Sequence, residues 1–172
     1  MPIITLADVD RIAAKAHATQ ADKIGMPYVD HVRAVSHGLA AFGTGLQMAG
    51  LLHDTLEDVE FTGLTAQTLL SEGIPPAVVC IVQRVTNQQG VSYEEQMRRI
   101  AADYAAALVK IADNAHSTHP ARTGELDEAT RTRLAVKYVT ARAILWPAVP
   151  REDLTTILTA VNPSLLSILD EY

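Results

Sequence analysis

The chain has one cysteine and no long apolar run. Cys80 is the single cysteine among 172 residues, so no disulfide can form within the chain, and this usage favours a reducing compartment. The longest apolar stretch, residues 74–82, contains two prolines and is far shorter than the ~20 residues that cross a membrane. Residues 1–10 contain acids but no basic segment, unlike a secretion signal. We therefore expect a cytoplasmic protein with no membrane partner.

Positive charge is also scarce. Lys and Arg together number 14 against 20 Asp and Glu, which gives a formal net charge of −6. A protein that binds nucleic acid normally carries a basic surplus, so we expect no nucleic-acid partner. An anionic substrate would need a local source of positive charge, and a divalent metal ion could supply it.

The composition favours packed helices. Aromatic residues are 5% of the chain and apolar residues 48%, and alanine, a strong helix former, is abundant. Capping patterns precede two helices, at Thr5 with Asp8 and at Ser92 with Glu95, and no strand pattern is convincing. We predict an all-α fold, a compact single domain over residues 1–172, with Cys80 as a small buried hydrophobe. Further helices are predicted at about 30–41, 46–56, 76–85, 104–115 and 127–145, with loops at 59–63 and 117–124.

Ionisable residues are concentrated directly after the apolar helix at 46–56. His53, Asp54, Glu57 and Asp58 lie within six residues, and on a continuous helix they would form two i,i+4 pairs. One interpretation is a solvated helix end. Acids at a helix C-terminus oppose the helix dipole, however, and buried charge is costly unless it is paired or binds a metal. The segment therefore suggests a metal site.

Two other segments could complete such a site. His31 opens the second predicted helix, and Asp113 ends an apolar helix that begins near residue 104. Each is a weak signal alone. Together with His53 and Asp54 they supply two imidazoles and two carboxylates, a mixed set that suits Mn²⁺, Fe²⁺, Zn²⁺ or Mg²⁺.

The order of these residues resembles that of the HD-domain metal-dependent phosphohydrolases. The pattern is His31, then His53-Asp54, then Asp113. A closer resemblance is to the hydrolase domain of the RelA/SpoT family, and within it to the stand-alone small alarmone hydrolases, called Mesh1-like. It covers about residues 5–145 and rests on segments 16–20, 25–31, 51–58, 85–86 and 109–113.

The resemblance implies an HD-type helical bundle and a metal-dependent reaction. It implies Mn²⁺ bound by four side chains and a carboxylate pair that positions and activates water. The implied reaction of the stringent response removes the 3′-pyrophosphate from guanosine tetra- or pentaphosphate, (p)ppGpp, to give GDP or GTP. The residues carried over by position are His31, His53, Asp54 and Asp113 as metal ligands, Glu57 and Asp58 as catalytic residues, and Lys23 and Lys110 as phosphate contacts.

The chain departs from the family pattern around the substrate. Asp22 replaces a basic residue, which we expect to weaken phosphate binding, and Asn114 and Ser117 replace a basic residue and an asparagine. These changes leave open another nucleotide or phosphate ester as substrate. A third interpretation is a non-catalytic, metal-stabilised nucleotide sensor. Glu57 and Asp58 argue against it, because a sensor has no need of a water-activating pair. The additional histidines His116 and His119 are expected to be exposed loop residues. The sequence leaves the natural metal and the oligomeric state open.

Overall fold

The computed structural model describes residues 3–57 and 59–171, and this part of the chain is helical. It contains no β-strand, only one isolated bridge between Ala21 and Pro27, so the predicted all-α class is confirmed. Three short 3₁₀ helices lie at Ala40–Phe42, Trp146–Ala148 and Pro163–Glu171. The α-helices are α1 Leu6–Ala16, α2 Tyr28–Gly38, α3 Thr44–Leu52, α4 Val59–Thr62, α5 Ala66–Ser71, α6 Pro76–Val85, α7 Tyr93–Ala101, α8 Tyr104–Ser117, α9 Pro120–Thr123, α10 Glu128–Leu145 and α11 Arg151–Val161.

Side-chain caps set where several helices begin. Thr5 forms a reciprocal capping box with Asp8 at the start of α1, as predicted. The Ser92 hydroxyl accepts the Glu95 N–H at the start of α7, and Asp127 caps α10 in the same way. Each cap satisfies a backbone donor that the first helical turn leaves unpaired.

Helix α8 lies at the centre of the fold and packs against α2, α3, α6, α7, α10 and α11. Most of its residues are buried. Helices α2 and α3 pack closely because Gly50 has no side chain: a Cβ at this position would lie 2.9 Å from the Cα of Ser36. This close approach lies in the last turn of α2 and the last turn of α3, and α8 packs against both helices. No helix among the described residues is long and apolar enough to cross a membrane.

Helix α3 ends at Leu52, four residues before the predicted end. His53 Nδ1 donates to the Gly50 carbonyl at 2.8 Å, and the Thr55 hydroxyl donates to the Leu52 carbonyl at 2.7 Å. Side chains thus occupy acceptors that further helical turns would use. The segment 53–57 is a turn, so the predicted helical i,i+4 pairing of His53 with Glu57 was wrong, while the predicted pair of Asp54 with Asp58 lies partly outside the described residues.

Three smaller predictions were also wrong. The predicted loops at 59–63 and 117–124 each contain a four-residue helix, α4 and α9. Cys80 is exposed and not buried. Helix α6 turns Val78, Val79, Val82 and Val85 inward, and Cys80 falls outside that face of the helix.

Candidate metal centre

Four side chains from three elements converge on one point. His31 comes from the first turn of α2, His53 and Asp54 from the turn after α3, and Asp113 from α8. His31 Nε2 lies 3.3 Å from Asp113 Oδ1 and 3.9 Å from Asp54 Oδ2. His53 Nε2 lies 3.1 Å from Asp54 Oδ2 and 3.9 Å from Asp113 Oδ1. The fold therefore brings together all four residues that the sequence predicted as ligands.

The donor atoms fit a metal ion. One ligand atom each from His31, His53 and Asp54 lie within 4.8 Å of one another, an arrangement that could hold a metal. His53 is buried, and its Nε2 has no well-aligned hydrogen-bond partner among the described residues. Because Nδ1 of the same ring donates to a backbone carbonyl, the neutral ring that a metal ion binds has its lone pair on Nε2, as in most metal-binding histidines. An unpartnered buried lone pair beside two carboxylates suits a cation.

The carboxylates dominate the electrostatics of this cluster. Burial disfavours protonated His53, but the negative charges of Asp54 and Asp113 outweigh it and raise the pKa of His53 to about 9. Burial alone would raise the pKa of Asp113, yet the Lys110 ammonium, 2.8 Å away, helps to hold that pKa well below its usual range. Both carboxylates are therefore ionised at neutral pH and available to a cation.

Further side chains orient the predicted ligands. The Tyr28 hydroxyl donates to Asp54 Oδ2, and the Ser117 hydroxyl donates to Asp113 Oδ1 at 3.2 Å. His116 Nδ1 lies 2.8 Å from His31 Nδ1, so one ring donates to the other and leaves His31 Nε2 facing the cluster. Contacts of this kind fix ligand orientation in metal sites.

The two additional histidines have different positions. His116 lies in the last turn of α8, is partly buried and contacts His31, so its prediction as an exposed loop residue was wrong. Burial and the neighbouring His31 lower the pKa of His116 to about 3. His119 is the N-cap of α9 and accepts the Ala121 N–H at 3.2 Å.

We expect Tyr28→Phe to weaken metal binding about 10- to 100-fold, the usual effect of losing an outer contact to a ligand. The phenyl ring would stay packed between His17 and His31, whose ring centroids lie 5.0 and 5.3 Å from that of Tyr28. Competitive metal titration would measure the change. Tyr104→Phe is the matched control, since Tyr104 is exposed and its hydroxyl binds Asp153, away from the cluster. Equal metal affinities in the two variants would contradict the role given to Tyr28.

A cavity of about 570 Å³ opens beside the cluster, a volume in the range of small-molecule sites. The predicted ligands His31, Asp54 and Asp113 line it. So do four cations and three tyrosines, which are Lys23, Lys110, Arg122, Lys137, Tyr28, Tyr93 and Tyr138.

The other predicted site residues that the structure describes also line this cavity. Glu57 lines it and accepts the Asn87 N–H at 2.8 Å, which ties the turn after α3 to the loop after α6. Lys23 and Lys110 also line it, and Lys110 is already paired with Asp113. Asp58 lies outside the described residues.

The residues that depart from the family pattern have structural partners. Asp22 accepts a hydrogen bond from Arg122 Nη1 at 2.7 Å, so α9 supplies the cation that the sequence appeared to lack at position 22. Asn114 is buried and accepts from Arg142 Nε at 3.3 Å, which links α8 to α10. Sequence reasoning missed Arg122 and Lys137, because neither belongs to a motif or to a segment near the predicted ligands.

The chain is similar to proteins of alarmone metabolism. It is 32% identical over 122 residues to a probable GTP pyrophosphokinase of Mycobacterium leprae, which covers 64% of this chain and 15% of that protein. It is 33% identical over 132 residues to the GTP pyrophosphokinase of Streptomyces coelicolor, covering 69% of this chain and 15% of the relative. It is 30% identical over 134 residues to the bifunctional (p)ppGpp synthase/hydrolase SpoT of Escherichia coli, covering 72% and 19%.

The matched segment is thus less than a fifth of the length of these curated relatives. Among solved structures, a metazoan ortholog of SpoT that hydrolyzes ppGpp has the same fold, with a TM-score of 0.71 and 22% identity over 97% of both chains. No protein-family model matches the chain.

Proposed function

Because this chain resembles the RelA/SpoT hydrolases in sequence and the metazoan SpoT ortholog in fold, we propose that it is a Mn²⁺-dependent (p)ppGpp 3′-pyrophosphohydrolase. The reaction would release pyrophosphate and leave GDP or GTP. The observation that carries the proposal is the unpartnered Nε2 of His53, buried between two ionised carboxylates at the edge of a nucleotide-sized cavity.

The direction of the reaction is part of this proposal. The first two relatives are named for GTP pyrophosphokinase activity, but this chain corresponds to only 15% of each. Other relatives, including one from Haemophilus influenzae, are named guanosine-3′,5′-bis(diphosphate) 3′-pyrophosphohydrolase. The metazoan ortholog, which matches this chain over nearly its full length, hydrolyzes ppGpp. Hydrolysis is therefore the direction that we propose.

In the proposed mechanism His31, His53, Asp54 and Asp113 hold the metal. A bound metal lowers the pKa of water and neutralises charge on the phosphoryl group. Glu57 and Asp58 would orient the attacking water and one of them would accept its proton, which is the role of a general base. The contact from the Asn87 N–H holds the Glu57 carboxylate at the cavity wall, so the base does not have to be ordered during the reaction.

The choice of Mn²⁺ follows from the resemblance to the RelA/SpoT hydrolases, and the donor set is compatible with it. Two imidazoles and two carboxylates combine borderline and hard ligands, which suits Mn²⁺ better than a site of thiolates would. Lys110, with its pKa raised by Asp113 and Asp54 against the effect of burial, stays charged and adds to the positive potential beside the metal. A nucleotide substrate and a cytoplasmic location are part of the same proposal.

A hydrolysis screen tests the function. With Mn²⁺ present, we expect pyrophosphate release from guanosine tetraphosphate, and we expect a chelator to abolish it, because the carboxylate pair needs a metal-activated water. Ordinary nucleotides and 5′-monophosphates serve as comparison substrates. Cleavage of a simpler nucleotide alone would favour another phosphate ester as substrate. Metal-dependent binding without any cleavage would favour the nucleotide sensor.

A further inference from the structure

Three cations line the cavity without belonging to the metal centre: Lys23, Arg122 and Lys137. Lys110 differs from them, since it forms an ion pair with the predicted metal ligand Asp113. Within the described part of the chain, neither Lys23 nor Lys137 has a carboxylate within ion-pair distance, and the Lys137 ammonium lies 4.7 Å from the centroid of the Tyr93 ring. The cavity thus has a positively charged face besides its metal cluster, although the chain as a whole is acidic.

Asp22 and the turn around it hold Arg122 in this face of the cavity. The Asp22 side chain is only 2% exposed, and its Oδ1 accepts the N–H groups of Ile24 and Met26, both at 2.9 Å. The turn closes through Gly25, whose φ of +79° favours glycine. The remaining oxygen of Asp22 accepts from Arg122 Nη1 at 2.7 Å, so both carboxylate oxygens have partners.

The Arg122 guanidinium has N–H donors that Asp22 does not use. Arg122 Nε is buried and has no hydrogen-bond partner among the described residues, while only one of its N–H groups is used by Asp22. Leaving a buried donor unpaired is costly. A guanidinium fork matches the oxygens of a phosphate with two parallel hydrogen bonds.

The cations also lie close enough to repel one another. Burial lowers the pKa of Lys23, and the positive charges of Arg133 and Arg122 lower it further. Burial likewise lowers the pKa of Lys137, with Lys110 and Lys23 adding to the effect. An anion bound between these side chains would relieve the repulsion and pair the unused donors.

We infer that Arg122, Lys137 and Lys23 form an anion-binding face for the substrate phosphates that are not hydrolysed, and that Asp22 is the positioning residue for Arg122. Identifying the anion as the 5′-diphosphate rests on the proposed function. The face lies on the same cavity as the metal cluster, so one nucleotide could use both. On this inference Asp22 secures a cation from another element, and the weaker phosphate binding that its sequence position suggested is not expected.

Substrates with different 5′ groups test the face. They are guanosine 3′-pyrophosphates carrying a 5′-hydroxyl, a 5′-monophosphate or a 5′-diphosphate. In Arg122→Gln and Lys137→Met we expect KM for the 5′-diphosphate to rise about 10-fold or more, the effect of losing a charged hydrogen bond. KM for the substrate with a 5′-hydroxyl should stay within about threefold of the value for the unaltered protein. The same holds for kcat with all three substrates, because the contact is distant from the reacting group.

Matched controls are available on the surface. Arg98→Gln on α7 and Lys15→Met on α1 remove the same charges from exposed positions, and their KM values should equal those of the unaltered protein. Arg122→Lys should recover part of the affinity, since it restores the charge but not the fork. Thermal unfolding would show whether each variant is folded. The inference would be overturned if Arg122→Gln and Lys137→Met changed KM equally for all three substrates, or if they left all three KM values unchanged.

A binding measurement separates this inference from the proposed function. Metal-loaded protein is titrated with GDP and with guanosine, and the ratio of the two affinities reports the phosphate contribution. We expect Arg122→Gln and Lys137→Met to lower that ratio about 10-fold, with a smaller effect at high salt. If the protein cleaves none of the substrates, the proposed function fails, and an unchanged ratio in both variants would then reject the anion-binding face as well.

Discussion

Replacing His53 with alanine is expected to remove the metal and, with it, the activity. The imidazole is buried, and its Nε2 is the donor that faces both carboxylates. Without it, Asp54 and Asp113 remain as two negative charges with one imidazole between them, a set with lower affinity for a divalent ion. We expect metal content to fall from about one per chain to near zero, and turnover to fall by about 10³-fold or more, since metal activation supplies several kcal/mol.

Metal analysis of purified protein and the pyrophosphate-release assay would check this expectation. His37→Ala is the control, because His37 lies exposed on α2 and should leave both quantities unchanged. His53→Gln retains most of the buried volume, so it separates loss of the ligand from loss of packing. Metal retained at one per chain in both His53 variants would refute the assignment of this ligand.

Replacing the carboxylate pair is expected to separate chemistry from metal binding. Glu57→Gln and Asp58→Asn should keep the metal and the fold, and each should reduce turnover by about 10²- to 10⁴-fold, the usual effect of losing a general acid or base. Glutamine at position 57 retains an oxygen that can accept the Asn87 N–H, so the turn should keep its place. The role of Asp58 follows from the sequence pattern alone.

Turnover and metal content measured on the same preparations would test this separation. Glu60→Gln is a suitable control, since Glu60 is exposed on α4, three residues beyond Glu57. It should retain full activity and full metal content. Near-normal turnover in both Glu57→Gln and Asp58→Asn would show that the water is activated by other groups.

Local signals in the sequence were enough for most of the helical framework. The capping residues Thr5 and Ser92 determine where α1 and α7 begin, because a side-chain acceptor satisfies a free N–H only at one register. The bounds of α3 were predicted less well. The side chains of His53 and Thr55 bind backbone carbonyls of the preceding turn, and helical periodicity carries no information about such competition.

The environment of individual residues could not be predicted from their neighbours in the sequence either. His116 could not be placed from its neighbours, since its contact with His31 joins α8 to α2. Cys80 was predicted to be buried from its apolar neighbours, yet the inward face of α6 is set by what packs against it. Both outcomes depend on the packing of elements that are distant in sequence.

The sequence by itself determined the helical class and the kinds of donor available to a metal. Caps and apolar spacing act over a few residues, and the order His31, His53-Asp54, Asp113 can be read without knowing the fold. Only the tertiary structure decided how the substrate side of the cavity is charged. Arg122 reaches Asp22 across 100 residues of chain, and Lys137 joins them from α10. Contacts of this kind follow no periodic pattern, because they arise where separate helices meet around a shared cavity.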